Sequence, residues 1–415
     1  MPKNAIVLIV DGLGTGSLGP YGISSVDTEG FNRLASESIV ADHAMIDAVD
    51  LNLIYRSMTR GGHAGYSHEW YDGRDSLPKA AAKSGVHTIW FSDHAAIAEV
   101  SVSSDFQRQI ALSSQIPDAN RLSDGVEQSW MATYFAEAIE AVSQMRDGSN
   151  LMWLHCPGMA VAWDAPMSFR CQFAGPDDPS PWPDAAPPEL ATDDPDERFR
   201  IECAYSGQVV LFDMLLSNFL QAIDSLPSEP LLIVAGGRSF PLGQHGKIGF
   251  DQAPLQPELV HVPMFARFPR LSSTQSLFEN HVRLQSLIQP ADIFSTLANW
   301  FDETKDIAEG QGFERCLTHP TGDERELAVT VGEYELSIRT PYWFACCYGP
   351  SSTESAACQL YLKPDDRWNL NDVADRCPHV VEDLSHFQAD VRRALSDGQS
   401  LSDLDVPESL KTRVE

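Results

Sequence analysis

Positive charge is what this chain has least of. It carries 29 Lys and Arg against 59 Asp and Glu, a formal net charge of −30 over 415 residues. A surface of that sign repels phosphate backbones and anionic lipid, which excludes nucleic acid and membrane as expected partners. No apolar window approaches the roughly 20 residues that a membrane span needs. The start, Met1-Pro2-Lys3-Asn4, runs straight into the short apolar stretch Ala5–Val10 and shows no signal-peptide pattern. Eight cysteines are scattered along the chain, with no repeated C-x-x-C at zinc spacing. They read as reduced thiols in a cytoplasmic protein.

What is present is an ordinary globular composition, 43% apolar and 21% charged, long enough to bury a sizeable core. Asn4–Val10 is a continuous apolar run closed by Asp11-Gly12-Leu13-Gly14, as expected of a strand buried on both faces with a tight turn at its carboxyl end. Helical spacing over Asp27–Ser38 follows. A helix opening at Ser76-Leu77-Pro78 then leads to a strand at Val86–Ser92. A helix around Gln128–Met145 precedes a strand at Asn150–Cys156, and one around Ala204–Leu226 precedes a strand at Leu231–Ala235. Strands alternating with helices of this length predict an α/β fold, a mostly parallel sheet sandwiched by helices. Ligands in such folds sit beyond the carboxyl ends of the strands. Asp11, Ser92-Asp93-His94, His155 and Gly236–Ser239 are therefore expected on one rim.

Between Gly175 and Pro195 the density of Pro and Asp predicts a long surface loop. A polar connection over Ile307–Thr321 leads to alternating segments at Leu327–Ile338 and Trp343–Cys347, then Gln359–Leu362 and a helix near Val380–Leu395. This predicts a core domain over 1–306, a small C-terminal α+β subdomain over 307–395, and a poorly ordered acidic tail over 396–415.

Four segments carry a family resemblance. Asn4 to Gly14 with Leu18-Gly19-Pro20-Tyr21-Gly22 is similar to the opening strand and turn of sulfatases, in the alkaline phosphatase superfamily. Asp27–Ala35 resembles that family's T-P-N-L-D-R-L-A helix. Leu242-Gly243-Gln244-His245-Gly246-Lys247 followed by Val262–Pro269 resembles L-G-E-H-G … V-P-L-I-I-R-W-P. Gln359–Leu362 with Asn369–Asp372 resembles the C-terminal E-L-Y-D-L … N-L-A stretch. Together they span about residue 4 to about residue 385.

The resemblance implies a sulfuric ester hydrolase that uses a formylglycine, made from Cys or Ser in C/S-x-P-x-R, and a divalent cation, usually calcium, held by several oxygen ligands. Most of these residues are missing. Asp11 matches the first metal aspartate, but the second falls on Gly12. The later S-D-H-G strand end falls on Gly236-Gly237-Arg238-Ser239, so Gly237 replaces an aspartate and Arg238 brings a positive charge to the cation position. This predicts an Asp11–Arg238 ion pair. The nucleophile falls on Leu51 or Asn52, neither of which can become formylglycine, and Arg56 matches the motif arginine. No C-x-P-x-R or S-x-P-x-R occurs elsewhere.

His94, His155, His245 and Lys247 occupy family-equivalent catalytic positions, with hydrogen bonding at loop bases as the structural alternative for His155 and His245. His63 and His68 read as surface residues. Two functions are expected. The first is a sulfatase-like pseudoenzyme with no cofactor, which binds a small anionic ester or a protein partner. The second is an active sulfate- or phosphate-ester hydrolase with a rebuilt calcium site, drawing on Asp42, Asp47, Asp50, Asp93 and Asp164, with Ser57 or Thr59 as nucleophile or with direct attack by water.

Overall fold

The computed structural model describes residues 2–113, 121–269, 282–303, 309–313, 325–348 and 358–413. Among the described residues, ten strands precede residue 289: β1 (Asn4–Gly12), β2 (Ile39–Ala44), β3 (His87–Ser92), β4 (Arg108–Ala111), β5 (Asn150–Cys156), β6 (Leu190–Ala191), β7 (Leu231–Ser239), β8 (Lys247–Ile248), β9 (Met264–Arg267) and β10 (Arg283–Ile288). Eight of them form one sheet in the order β10-β2-β9-β7-β1-β5-β3-β4. Its centre is parallel, since β1 pairs in parallel with β5 and β7, and β3 with β5 and β4. β9 runs antiparallel to both β7 and β2.

The apolar run in β1 forms the middle of this sheet because every residue from Ala5 to Val10 is fully buried. Neither face can carry a polar side chain without losing its hydration, so the periodicity of a half-exposed strand is missing. The helix Pro195–Asp224 supplies Phe212, Leu216 and Phe219 to the same core as Ile6, Leu8 and Val10. By length and composition it could cross a bilayer, yet most of it is buried inside the fold. It begins nine residues before the expected Ala204. The start signal was present in Asp194-Pro195-Asp196-Glu197, where the Asp194 carboxylate accepts the Asp196 N–H and Pro195 takes a position that needs no donor.

The chain does not divide at residue 306. It forms two compact units, each assembled from three segments. The first holds Met1–Val40, Pro78–Ala253 and Val262–Arg283; the second holds Ala41–Leu77, Pro254–His261 and Leu284–Glu415.

The second unit contains a separate antiparallel sheet of β11 (Ala328–Val331), β12 (Glu335–Arg339), β13 (Trp343–Tyr348) and β14 (Cys358–Leu362), in that order. Strand alternation gives it two different faces. Leu336, Ile338, Ala345, Cys347 and Leu360 join Val380, Leu384, Phe387 and Val391 of the helix Pro378–Asp397 in one core. Ser337, Arg339, Phe344, Cys346, Gln359 and Tyr361 alternate with them, and these put polar groups on the opposite face.

Two expectations fail here. Leu401, Val406 and Leu410 are buried in that core, so residues 396–413 are an anchored part of the unit and no loose tail. Cys347 and Cys358 oppose each other across β13 and β14 and are joined by a disulfide, so the reduced-thiol reading gives way for this pair. Most of the Ile307–Thr321 connection lies outside the described residues.

Candidate functional site

Sheet register assembles the site in the first unit. Val10 pairs with Cys156 of β5 and with Gly236 of β7, while Phe91 of β3 pairs with Leu154. The residues that follow, Asp11, His155, Asp93 and Arg238, therefore leave neighbouring strands at one level.

Asp11 is 3% exposed, and Arg238 grips it with both ends of the guanidinium fork. Nε donates to Oδ1 at 3.0 Å and Nη2 donates to Oδ2 at 2.7 Å. Two parallel charge-assisted bonds of this kind are the strongest carboxylate contact a protein side chain makes. The guanidinium also lies over the Phe250 ring, 4.0 Å from its centroid, which shields the pair from water on that side.

His155 is buried against the Trp90 ring. Burial lowers its pKa; the charges of Asp11 and Asp93 oppose the shift and that of Arg238 adds to it. The imidazole thus feels the carboxylates and the guanidinium together.

The turn after β1 is locked from two sides. Gly12 has φ +84°, and a Cβ there would stand 2.6 Å from the backbone carbon of Met159. The Tyr205 hydroxyl donates to Gly12 O at 2.7 Å and accepts from Gly14 N at 3.1 Å. The backbone of 159–160 therefore takes the space that an aspartate side chain at position 12 would need.

A calcium-type ion takes six to eight oxygens. Here the one aligned carboxylate is saturated by a cation of the protein's own, and Gly12 has no room for a second. Among the described residues no group of three or more His, Cys, Asp or Glu is placed to hold a metal ion. The donor set does not fit the cation that the resemblance implies.

The other expected residues are dispersed. His94 is exposed at the start of the helix His94–Glu99. His245 and Lys247 are partly buried, in the turn before β8 and at its first residue. Asn52 and Arg56 lie on the helix Leu51–Arg60, in the second unit. Arg56 has a structural task there: Nη2 donates to Ala64 O at 2.7 Å and Tyr66 O at 3.2 Å, with the guanidinium 4.2 Å from the Tyr71 ring centroid.

The residues offered for a rebuilt hydrolase site are committed elsewhere. Asp50 and Asp93 are helix N-caps, accepting from Leu53 N at 3.1 Å and Ala96 N at 3.2 Å. Asp164 accepts from Trp130 N, and the Asp42 carboxylate accepts from Gln285. Asp47 accepts from Ala64 N, and burial pushes its pKa up to about 7. Ser57 and Thr59 are buried and donate back to the carbonyls of Leu53 and Tyr55 on their own helix. Neither hydroxyl is presented as a nucleophile.

His63 is not a surface residue. It is buried, with Nδ1 accepting from Gly65 N at 3.0 Å and Nε2 donating to Val329 O at 3.0 Å. Burial disfavours the charged ring and outweighs the hydrogen bond to Val329 O, which favours it, so its pKa falls to about 4. A folded-state pKa below the unfolded value supports the fold above about pH 6.5 and loses that support as pH falls toward 4. Urea unfolding at stepped pH is expected to show a loss from His63 of up to about 1.4 kcal/mol per pH unit in that window. His63→Gln should shallow the slope; an equal slope in the variant would remove the assignment.

The chain superposes on the phosphonate monoester hydrolase of Agrobacterium radiobacter with a TM-score of 0.75, at 15% identity and over 98% of both chains. The fold is that of the sulfatases. A 2-O GAG sulfatase matches the sulfatase fold of this chain with a TM-score of 0.71 at 13% identity, over 98% of this chain and 95% of the other. A protein solved with its substrate D-glucosamine-2-N,6-O-disulfate matches it at 0.74 and 13%, over 98% of this chain and 100% of the other. No protein-family model matches the sequence, and no curated protein matches it.

Sequence reasoning missed the two features that shape the site most. Tyr205 lies 193 residues from the turn it clamps, and no pattern marks a tyrosine on a buried helix face as a turn clamp. The closeness of 159–160 to Gly12 had a partial signal, because the resemblance puts an aspartate where the chain has glycine.

Proposed function

We propose that this is a sulfatase-fold protein that does not hydrolyse sulfate esters by the formylglycine and cation route. Its strand-end rim binds a small anionic ester or a protein partner, with Arg238 supplying the positive charge that a metal ion supplies in the family it resembles. The observation that carries this reading is the two-point grip of Arg238 on buried Asp11. A guanidinium cannot lower the pKa of an attacking hydroxyl as a Lewis acid does, but it orients an oxyanion well. The absence of a convertible Cys or Ser at Leu51 and Asn52 supports the same reading.

Calorimetric titration of chelator-treated protein with calcium, magnesium, manganese and zinc tests it. No saturable binding is expected for any of the four. One-to-one binding that Asp11→Ala abolishes would instead establish a rebuilt cation site and restore the hydrolase reading. Sulfate and phosphate monoester hydrolysis would then be assayed.

A further inference from the structure

The loop between Gly175 and Pro195 ends in a short ribbon that reaches the segment lying over Arg238. Leu190 and Ala191 of β6 pair antiparallel with Ile248 and Lys247 of β8, and Thr192 N donates to Gly246 O at 3.3 Å. Glu189, exposed at the surface, then takes two main-chain N–H groups from the residues beyond β8. Its Oε1 accepts from Phe250 N at 3.0 Å and its Oε2 accepts from Asp251 N at 3.1 Å.

This clasp sets Phe250 on the Asp11–Arg238 pair. The ring lies against the guanidinium, with its centroid 4.0 Å from Cζ, and meets Phe240 in a T-shaped contact with ring centroids 5.2 Å apart. Phe240 is buried between Trp163 and Tyr205 and forms a fixed wall. Phe250 is only partly buried. With Asp11 on its fork and Phe250 on its face, the Arg238 side chain keeps 18% of its surface exposed.

The anchored and the lightly held parts of this segment meet at Gly249. Ile248 is buried and bridged to Leu242, and Gly249 N donates to Pro241 O at 3.1 Å. Beyond that point the backbone N–H groups of Phe250 and Asp251 depend on one exposed carboxylate, in competition with water, so their release costs far less than unfolding. Gly249 has φ +88°, open to glycine at little cost, and a Cβ there would stand 2.0 Å from Glu189 Oε2. A side chain at the pivot would therefore prevent the clasp from closing. All of these residues lie in the unit that carries Asp11 and Arg238.

We propose that Phe250 and Asp251 form a flap over Arg238, pivoting at Gly249 and latched by Glu189, and that lifting it admits the anionic group of a ligand to the guanidinium. The inference rests on the reading of Arg238 as the anion-binding group of the rim. Lifting the ring strips the apolar cover from one face of the guanidinium and lets water and ligand reach it. Closing it again excludes water, and an oxyanion held there is bound more strongly in the lower dielectric. Glu189 and Phe250 are positioning residues in this scheme, because neither has a donor to offer the anion.

Phenylglyoxal, which couples to accessible guanidinium groups, reads the flap on the full chain without any ligand, with the adduct at each arginine followed by peptide mass spectrometry. Arg121, with 79% of its side chain exposed, should react fast, Arg238 slowly, and fully buried Arg170 not at all. Glu189→Ala removes both latching bonds and Phe250→Ala removes the cover. Each should speed modification of Arg238 by about tenfold or more while Arg121 and Arg170 behave as in wild type. Glu189→Gln, which keeps one acceptor, should fall between wild type and Glu189→Ala. Reaction at Arg170 marks a variant that has not folded, and the remaining variants then decide. An unchanged Arg238 rate in the variants that fold would overturn the flap. Inorganic sulfate or phosphate should slow the reaction at Arg238. A normal flap response without protection by either ion would count against the anion site and leave the flap, so the two failures are distinct.

Discussion

Arg238→Ala is expected to lower the free energy of unfolding by about 3–5 kcal/mol, because it strands the Asp11 carboxylate inside the fold without its counterion. At 3% exposure that carboxylate has almost no access to water, and the guanidinium is the partner that satisfies both of its oxygens. Asp11→Ala is expected to cost a similar amount for the mirror reason, softened because Arg238 reaches solvent more readily, at 18% side-chain exposure. The double variant should cost clearly less than the two singles combined, since it leaves neither charge unpaired. Equilibrium unfolding in urea for the four proteins measures the cycle. A single Arg238→Ala within about 0.5 kcal/mol of wild type, the usual range for a surface change, would mean that the pair does not hold the strand ends together.

Gly12→Asp, which restores the aspartate that the family resemblance places in the turn, is expected to destabilise the protein by at least about 3 kcal/mol and to gain no cation affinity. Two separate costs meet at this position. The left-handed backbone costs a non-glycine residue about 1–2 kcal/mol. The added Cβ would also stand 2.6 Å from Met159 C and 2.7 Å from Ala160 N, inside the distance at which atoms repel. Gly73→Asp separates the two costs. Gly73 has φ +72°, but a Cβ added there would meet nothing within 4 Å, so its replacement should cost only the backbone contribution. Equal losses at the two positions, measured by the same urea unfolding, would show that the approach of 159–160 is not what forbids a side chain at Gly12.

The parts of this protein that were legible in the sequence are those that local pattern controls. Ala5–Val10 announces a fully buried strand, and the alternation of Leu336 and Ile338 with Ser337 and Arg339 announces a strand with two unlike faces. The proximity of Asp11 and Arg238 was legible too, because parallel register brings the ends of β1 and β7 together. What escaped depends on which of several feasible partners a side chain finds across the fold. Asp50 and Asp93 could have been ligands, yet each satisfies a helix end three residues away. His63 read as a surface residue, but Val329, 266 residues on, offers it a carbonyl. Cys347 and Cys358 became partners through β-strand register, which spacing alone does not reveal.

The interleaving of the two units along the chain sets an order on synthesis. Ala41–Leu77 emerges early, but the remainder of its unit, including the core strands and the helix that ends at Asp397, comes from Leu284 onward. At 5–20 residues per second, the ribosome needs on the order of 15–70 s to pass from Leu77 to Glu415. For that interval the helix Leu51–Arg60 has Ile54, Tyr55 and Met58, all buried in the finished protein, without the segments that complete their unit. The nascent chain therefore carries an unfinished apolar surface through most of its translation.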